Sequence, residues 1–240
     1  MDKSIEEKFI KLKDIFLSMG SVVVAYSGGV DSTLLLKAAK ESLGEGHVVA
    51  VTALSPLYPD RELSGAKRMA QEMGVKHILI ESNELEIEGF SKNPSNRCYF
   101  CKKELFEEMK NQAQKVAISY VVEGSTLDDE KDHRPGRKAI QELGIRSPLQ
   151  EARFTREEVR KLSRTLGLPT WDKPSFACLA SRFPYGEEIT PEGLRMVDEA
   201  EDFLFRLGFK QVRVRHYQSL ARIELYREEM NRLMNGSLRE

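Results

Sequence analysis

The sequence is poor in the features that mark secreted, membrane-spanning or disordered chains. It has only 3 cysteines in 240 residues. That is too few for a disulfide framework, so the thiols are expected to be reduced and free for a metal or for chemistry. The longest apolar runs, VVVAY and VVAVTAL, fall far short of a membrane span. The opening MDKSIEEKFIKLKDIF is charged throughout and lacks the apolar stretch of a signal peptide. A charge excess is absent too: 37 Lys and Arg stand against 38 Asp and Glu, a net −1, so no overall basic field advertises nucleic acid. Proline (9) and glycine (16) are sparse, while 40 % of residues are hydrophobic and 31 % charged, which excludes a low-complexity chain. What remains is a folded protein, expected to be soluble and cytoplasmic, with room for one and a half domains at about 150 residues each.

The first two-thirds alternate short apolar runs with helical patterns. Ile5, Phe9, Leu12 and Phe16 recur at helical spacing over 4–18. Runs 21–26, 47–53, 77–80 and 118–123 read as strands, with helices over 31–42, 60–73 and 102–114. This order predicts an α/β fold, a parallel sheet flanked by helices, with ligands at the carboxyl ends of the strands. Thr155 and Glu158 form a capping box that starts a helix over 155–166. A Pro-rich stretch follows, then a helix over 191–207, strands over 211–216 and 220–225, and a helical stretch from Arg227. A boundary near Tyr185 divides the chain into 1–185 and a small C-terminal α+β unit, 186–240.

The strongest motif, Ser27-Gly28-Gly29-Val30-Asp31-Ser32, lies between a predicted strand and helix. Two glycines let backbone amides close around phosphate oxygens, the helix start adds its positive end, and the serine hydroxyls can donate to the same oxygens. No Gly-Lys-Ser/Thr follows, so it is not a Walker loop, and no third glycine makes it a dinucleotide fingerprint. The bland alternative is a Gly-rich turn capped by Asp31. The motif resembles the phosphate loop of the N-type ATP pyrophosphatases (the PP-loop, in an adenine nucleotide alpha hydrolase-like fold), written S-G-G-x-D-S. The resemblance places ATP, with Mg2+, at Ala25, Ser27, Gly28, Gly29, Asp31 and Ser32.

Cys98 and Cys101 form a C-x-x-C leading into a helix beside Arg97, Lys102 and Lys103, which is expected to lower a thiol pKa. Cys178 lies in PSFACLASR, four residues before Arg182. By residue type alone the trio is open between a redox pair, a zinc site with His133 as the tempting fourth ligand, an iron–sulfur site, and unrelated thiols.

Taken together, the SGGVDS loop, the segment DHRPGRKAIQELGIRSPL from Asp132 and the run LGLPTWDKPSFACLASRFPYGEEIT from Leu166 resemble the LarE-type sulfur transferases of nickel-pincer nucleotide biosynthesis, across 21–224. The resemblance implies that ATP adenylates a carboxylate of a pyridinium biscarboxylic acid mononucleotide, with release of pyrophosphate, and that an enzyme-held sulfur then gives a thiocarboxylate. In members without the C-x-x-C, the cysteine matching Cys178 gives up its own sulfur and becomes dehydroalanine. Members with three cysteines are thought to hold a 4Fe–4S cluster with an extra sulfide. Cys98, Cys101 and Cys178 fit the second mode, with Asp31 and Arg182 beside Cys178 in the reaction. The chain departs from the family at His133, where a tyrosine is usual, and at Glu240, beyond which members continue, so the C-terminal unit is read as shortened.

Arg134 in RPG, and Arg213 with Arg215 on one strand face, are candidates for the substrate phosphate, because like charges side by side repel unless an anion joins them. Glu224 reads as a cross-strand partner of Arg213 or Arg215, and Trp171 as a packing anchor. The expected partners are a small nucleotide and a sulfide source, in a homo-oligomer without stable nucleic acid or membrane contact. Two other functions compete: a cluster-dependent tRNA thiolase, and a nucleotide- or redox-sensing module that needs no sulfur chemistry.

Overall fold

Valine-rich runs in the first half form the sheet. In the computed structural model, which describes residues 2–130 and 135–233, β1 (Val22–Ala25), β2 (Val48–Leu54), β3 (Lys76–Glu81) and β4 (Tyr120–Val122) pair in the order β3-β2-β1-β4. Every pairing is parallel, with Val22 opposite both Val48 and Tyr120. Alternate residues face opposite layers. Val22 and Val24 join one core cluster and Val23 the other, and Val48 and Ala50 against Val49 and Val51 repeat the division. Both faces are therefore covered, which is why these strands read as continuous apolar runs rather than alternating ones.

Helices α1 (Lys3–Met19) and α2 (Val30–Leu43) cover one face. The first is capped by the Asp2 carboxylate, which accepts from the Ser4 N–H, and it buries Ile5, Phe9, Leu12 and Phe16 as the spacing predicted. Next come α3 (Asp60–Glu72) and α4 (Arg97–Lys115), the latter laying Phe106 and Met109 on the other face. Two short helices not anticipated from the sequence follow, α5 (Gly136–Glu142) and α6 (Pro148–Glu151), and between them Arg146 forms an isolated parallel bridge with Val122. The Thr155–Glu158 capping box starts α7 (Arg156–Thr165). Helix α4 begins at Arg97 rather than near Lys102, so Cys98 and Cys101 lie within its first turns and not ahead of it.

Beyond the irregular stretch, α8 (Pro191–Arg206) packs on the antiparallel pair β5 (Val212–Tyr217) and β6 (Leu220–Leu225), and α9 (Met230–Leu233) follows. A core of Leu57, Phe90, Leu179 and Phe183 with Ile189, Leu194 and Val197 joins α8 to the loops at the carboxyl ends of the strands. No helix among the described residues is long and apolar enough to cross a membrane.

Candidate functional site

At the carboxyl end of β1 the chain turns through Ser27, Gly28 and Gly29 into α2. Gly28 has φ +69°, and a Cβ there would lie 2.9 Å from the Ala66 Cβ of α3. Only glycine offers both the left-handed backbone and the clearance. The loop braces itself: the Ser27 and Ser32 hydroxyls are 3.1 Å apart, and the Ser27 N–H donates to Ser32 Oγ at 3.3 Å. Gly124, just after β4, crosses so close that a Cβ would meet the Ser32 nitrogen at 3.2 Å. The first-turn N–H groups of α2, which have no intrahelical partner, border the cleft described next.

This cleft, about 340 Å³, runs from the loop to Cys178. Its charges are mixed. Asp31, Glu123 and Asp129 stand on the acidic side; Lys102, Arg156, Arg160 and Lys173 on the basic side. Several of these cations are tethered. Lys173 Nζ donates to the Gly28 carbonyl at 3.1 Å and pairs with Glu62 at 2.8 Å. Arg160 donates to the carbonyls of Trp171 and Lys173 at 3.0 and 2.9 Å, and Arg156 pairs with Asp129. Glu123 accepts from the Ser125 hydroxyl at 2.8 Å and from Ser147. Burial, reinforced by the Asp129 charge, pushes the Asp31 carboxyl up to about 6, against the opposing pull of Arg156 and Arg160. Beside the cleft lies an apolar pocket of about 110 Å³ bounded by Thr52, Ala53, Leu63, Leu105 and Met109.

Of the three thiols only Cys178 lines the cleft, and the other two lie near it. Cys101 and Cys178 both pack against the apolar cluster of Leu57 and Leu179, while Cys98 is exposed, and none forms a disulfide. The helix start does not lower the Cys101 thiol, contrary to the expectation for a C-x-x-C. Burial pushes it far up, and the negative charges of Glu84, Cys178 and Cys98 add to the effect. Burial raises Cys178 as well, with Cys98 adding to it and Arg97 opposing. The three thiols are thus mutually close enough to act on one another's charge. Among the described residues no three His, Cys, Asp or Glu converge as ligands of a single metal ion.

Arg182 is 2 % exposed and its guanidinium is fully engaged. Two nitrogens grip the buried Glu201 at 2.8 and 2.9 Å, and the third donates to the Ala177 carbonyl at 2.6 Å. It holds the Cys178 loop by its backbone. Arg97, also buried, donates to Asn93 Oδ1 at 2.6 Å and stacks on Tyr185, and among the described residues it has no carboxylate partner and no partner for its Nε. Arg215 pairs with Glu224 at 3.0 Å, as the alternation suggested, and donates to the Ser181 carbonyl at 2.7 Å. Arg213 stands opposite Glu224 in the register and makes no side-chain hydrogen bond to the described residues. Neither strand arginine borders the cleft. Arg134 and His133 lie outside the described residues. Trp171 packs under Arg164, 4.8 Å from the ring centroid.

The structure thus gathers Ala25, Ser27, Gly29, Asp31, Ser32 and Cys178 around one cleft. It adds residues that sequence reasoning missed. Glu123 could have been found, because it ends a predicted strand just before a glycine, where α/β sheets place ligands. Lys173 and Tyr58 carried no comparable signal.

Residues 7–120 match the NAD synthase family. The chain is 41 % identical over 204 residues to the pyridinium-3,5-bisthiocarboxylic acid mononucleotide synthase of Lactiplantibacillus plantarum, covering 85 % of this chain and 74 % of that protein. It is 47 % identical over 230 residues to an uncharacterized protein of Synechocystis sp., covering 96 % and 85 %. A GMP synthase of Aeropyrum pernix is 28 % identical over 200 residues, 75 % of this chain and 38 % of that one.

Proposed function

The chain belongs to the family of pyridinium-3,5-bisthiocarboxylic acid mononucleotide synthases, the LarE-type sulfur transferases, and we propose that it carries out their chemistry in the cleft between the glycine loop and Cys178. It is an ATP-dependent transferase that acts on a pyridinium biscarboxylic acid mononucleotide. The observation that carries this reading is the single cleft bordered at one end by a phosphate-binding loop and at the other by a cysteine.

The loop amides and serine hydroxyls hold the phosphates, and the apolar pocket of Thr52, Ala53, Leu63, Leu105 and Met109 takes the base. Mg2+ needs only one or two protein carboxylates when phosphates complete its shell, a role that suits Asp31 with Asp129 or Glu123. Lys173 and Arg156 offset the charge that develops as pyrophosphate leaves. The substrate carboxylate attacks the α-phosphorus, and a sulfur nucleophile from the Cys178 side then displaces AMP from the acyl carbon. Arg213, which makes no side-chain hydrogen bond to the described residues, is the proposed cation for the substrate phosphate, with Arg134 a second candidate. Residues 1–185 form the ATP pyrophosphatase domain on this reading and 186–240 the appended unit, in a cytoplasmic homo-oligomer supplied by an external sulfide source.

For the sulfur, the donor set favours a 4Fe–4S cluster held by Cys98, Cys101 and Cys178. Three mutually interacting thiols, with no three His, Cys, Asp or Glu among the described residues converging on one ion, suit a cubane, whose corners lie farther apart than the ligands of one ion. Such a cluster supplies an iron without a protein ligand that can carry an added sulfide. The test is pyrophosphate release with ATP and the biscarboxylate, together with iron and sulfide content after purification without oxygen. Each Cys→Ala variant should lose iron and thiocarboxylate formation. Iron-free enzyme whose Cys178 has lost the mass of hydrogen sulfide after one turnover would refute the cluster and establish sacrificial donation.

A further inference from the structure

The loop end of the cleft is polar, but the wall between it and Cys178 is aromatic. Tyr58 and Phe176 both line it, their ring centroids 6.3 Å apart and tilted by 46°. Phe176 is backed by the Arg182 guanidinium, 5.3 Å from its ring centroid. Tyr58 is 37 % exposed although its neighbour Leu57 is 1 % exposed. A large ring held at a cleft wall by a fully anchored neighbour is placed for contact with a ligand. The anchoring is tied to the Cys178 segment: the Leu179 N–H donates to the Leu57 carbonyl at 2.9 Å. That bond joins the peptide between residues 57 and 58 to the peptide between 178 and 179, so Tyr58 and Cys178 are fixed side by side.

On the function proposed above, the reacting carboxyl carbon must first approach the α-phosphorus at the loop and then a sulfur at the Cys178 end. That carbon is bonded directly to the heteroaromatic ring, so the ring must lie along the wall between the two. The ring is a pyridinium and carries a positive charge. An aromatic face attracts a cation through its quadrupole by about 0.5–2 kcal/mol, whereas an uncharged ring gains only stacking. Arg182 on Phe176 weakens the pull of that face, which leaves Tyr58 as the stronger partner. A tyrosine phenol is neutral near pH 7, so the ring faces the cleft uncharged.

We propose that Tyr58, with Phe176 beside it, forms the subsite for the pyridinium ring and sets the preference for a quaternised over an uncharged heteroaromatic acid. The inference rests on the substrate reading above, and the test separates the two. N-methylpyridinium-3,5-dicarboxylate and pyridine-3,5-dicarboxylate differ in one methyl group and one charge. Each is titrated as an inhibitor of pyrophosphate release by the full-length enzyme with ATP and the mononucleotide. The charged probe should inhibit at a concentration lower by roughly two- to thirtyfold, which is 0.5–2 kcal/mol at 1.4 kcal/mol per tenfold. Tyr58→Phe should keep that ratio and Tyr58→Leu should bring it close to one. A loss of fold or of loop geometry would change the overall rate without changing the ratio. If Tyr58→Leu does not fold, Phe176→Leu is read in its place and should lower the ratio less. A wild-type ratio near one, or a full ratio in the leucine variant, overturns the subsite and leaves the function standing. Wild-type enzyme that releases no pyrophosphate with the mononucleotide overturns both.

Discussion

Asp31→Asn should make the free protein more stable while abolishing its chemistry. The Asp31 carboxyl is raised from 3.8 to about 6, chiefly by burial and by the Asp129 charge. A group whose folded pKa is raised contributes stability below its unfolded pKa and loses it as pH climbs through the folded one. A shift of about two units at roughly 1.4 kcal/mol each is about 3 kcal/mol of strain above pH 7. Partial exposure and the favourable field at the start of α2 reduce this, so roughly 1–3 kcal/mol is expected. On the function proposed above, the carboxylate is kept for what it does with ATP bound, when Mg2+ and developing phosphate charge need it. Urea unfolding without nucleotide, followed by circular dichroism, should show the asparagine variant more stable at pH 7.5, with the gap closing toward pH 4. With Mg-ATP at about a hundred times its Kd, the wild type should gain about 2.7 kcal/mol and the variant markedly less. Pyrophosphate release should fall to background. Equal stability of the two proteins at pH 7.5, or undiminished pyrophosphate release, would refute the assignment of a strained, metal-facing carboxylate.

Three more outcomes follow from the geometry. Gly28→Ala forces a left-handed alanine whose Cβ meets Ala66 at 2.9 Å, so urea midpoints should report a loss of about 1–3 kcal/mol and the KM for ATP should rise, whereas Gly46→Ala, with open space around it, should change neither. Arg182→Met leaves the fully buried Glu201 with only Arg61, 3.7 Å away, as a charged partner and should cost up to about 3–5 kcal/mol by equilibrium unfolding, much of it recovered in the double variant with Glu201→Gln, which can still accept from the Val214 N–H. A chain of net charge −1 should bind labelled tRNA weakly in filter assays, and tight binding with a steep salt dependence would favour the tRNA thiolase alternative.

Much of the fold was legible in the sequence because local rules and tertiary demands agreed. Alternation of apolar runs with helical spacing, the SGGVDS loop and the Thr155 capping box each carry their own signal, and each formed where it was expected. The two short helices over 136–151 were not legible, since segments so short have too few turns to show a period. The start of α4 was misplaced because Asn96 gives no side-chain cap and the buried Arg97 reads as a surface residue.

The site divides the same way. By itself the sequence determined the phosphate loop, because a contiguous motif encodes its own backbone geometry, and it singled out three cysteines as chemically free. Only the tertiary structure decided that the Cys101 and Cys178 thiols are pushed up by burial, where a helix start and nearby cations suggested the reverse. It alone showed that Arg182 is consumed by Glu201, that Arg215 is held by Glu224 and that Tyr58 stands beside Cys178. The physical reason is that desolvation, ion pairing and cleft walls depend on which distant segments meet. A motif sets the dihedrals of its own few residues, while the charge state and the partners of a side chain are set by whatever the rest of the chain packs against it.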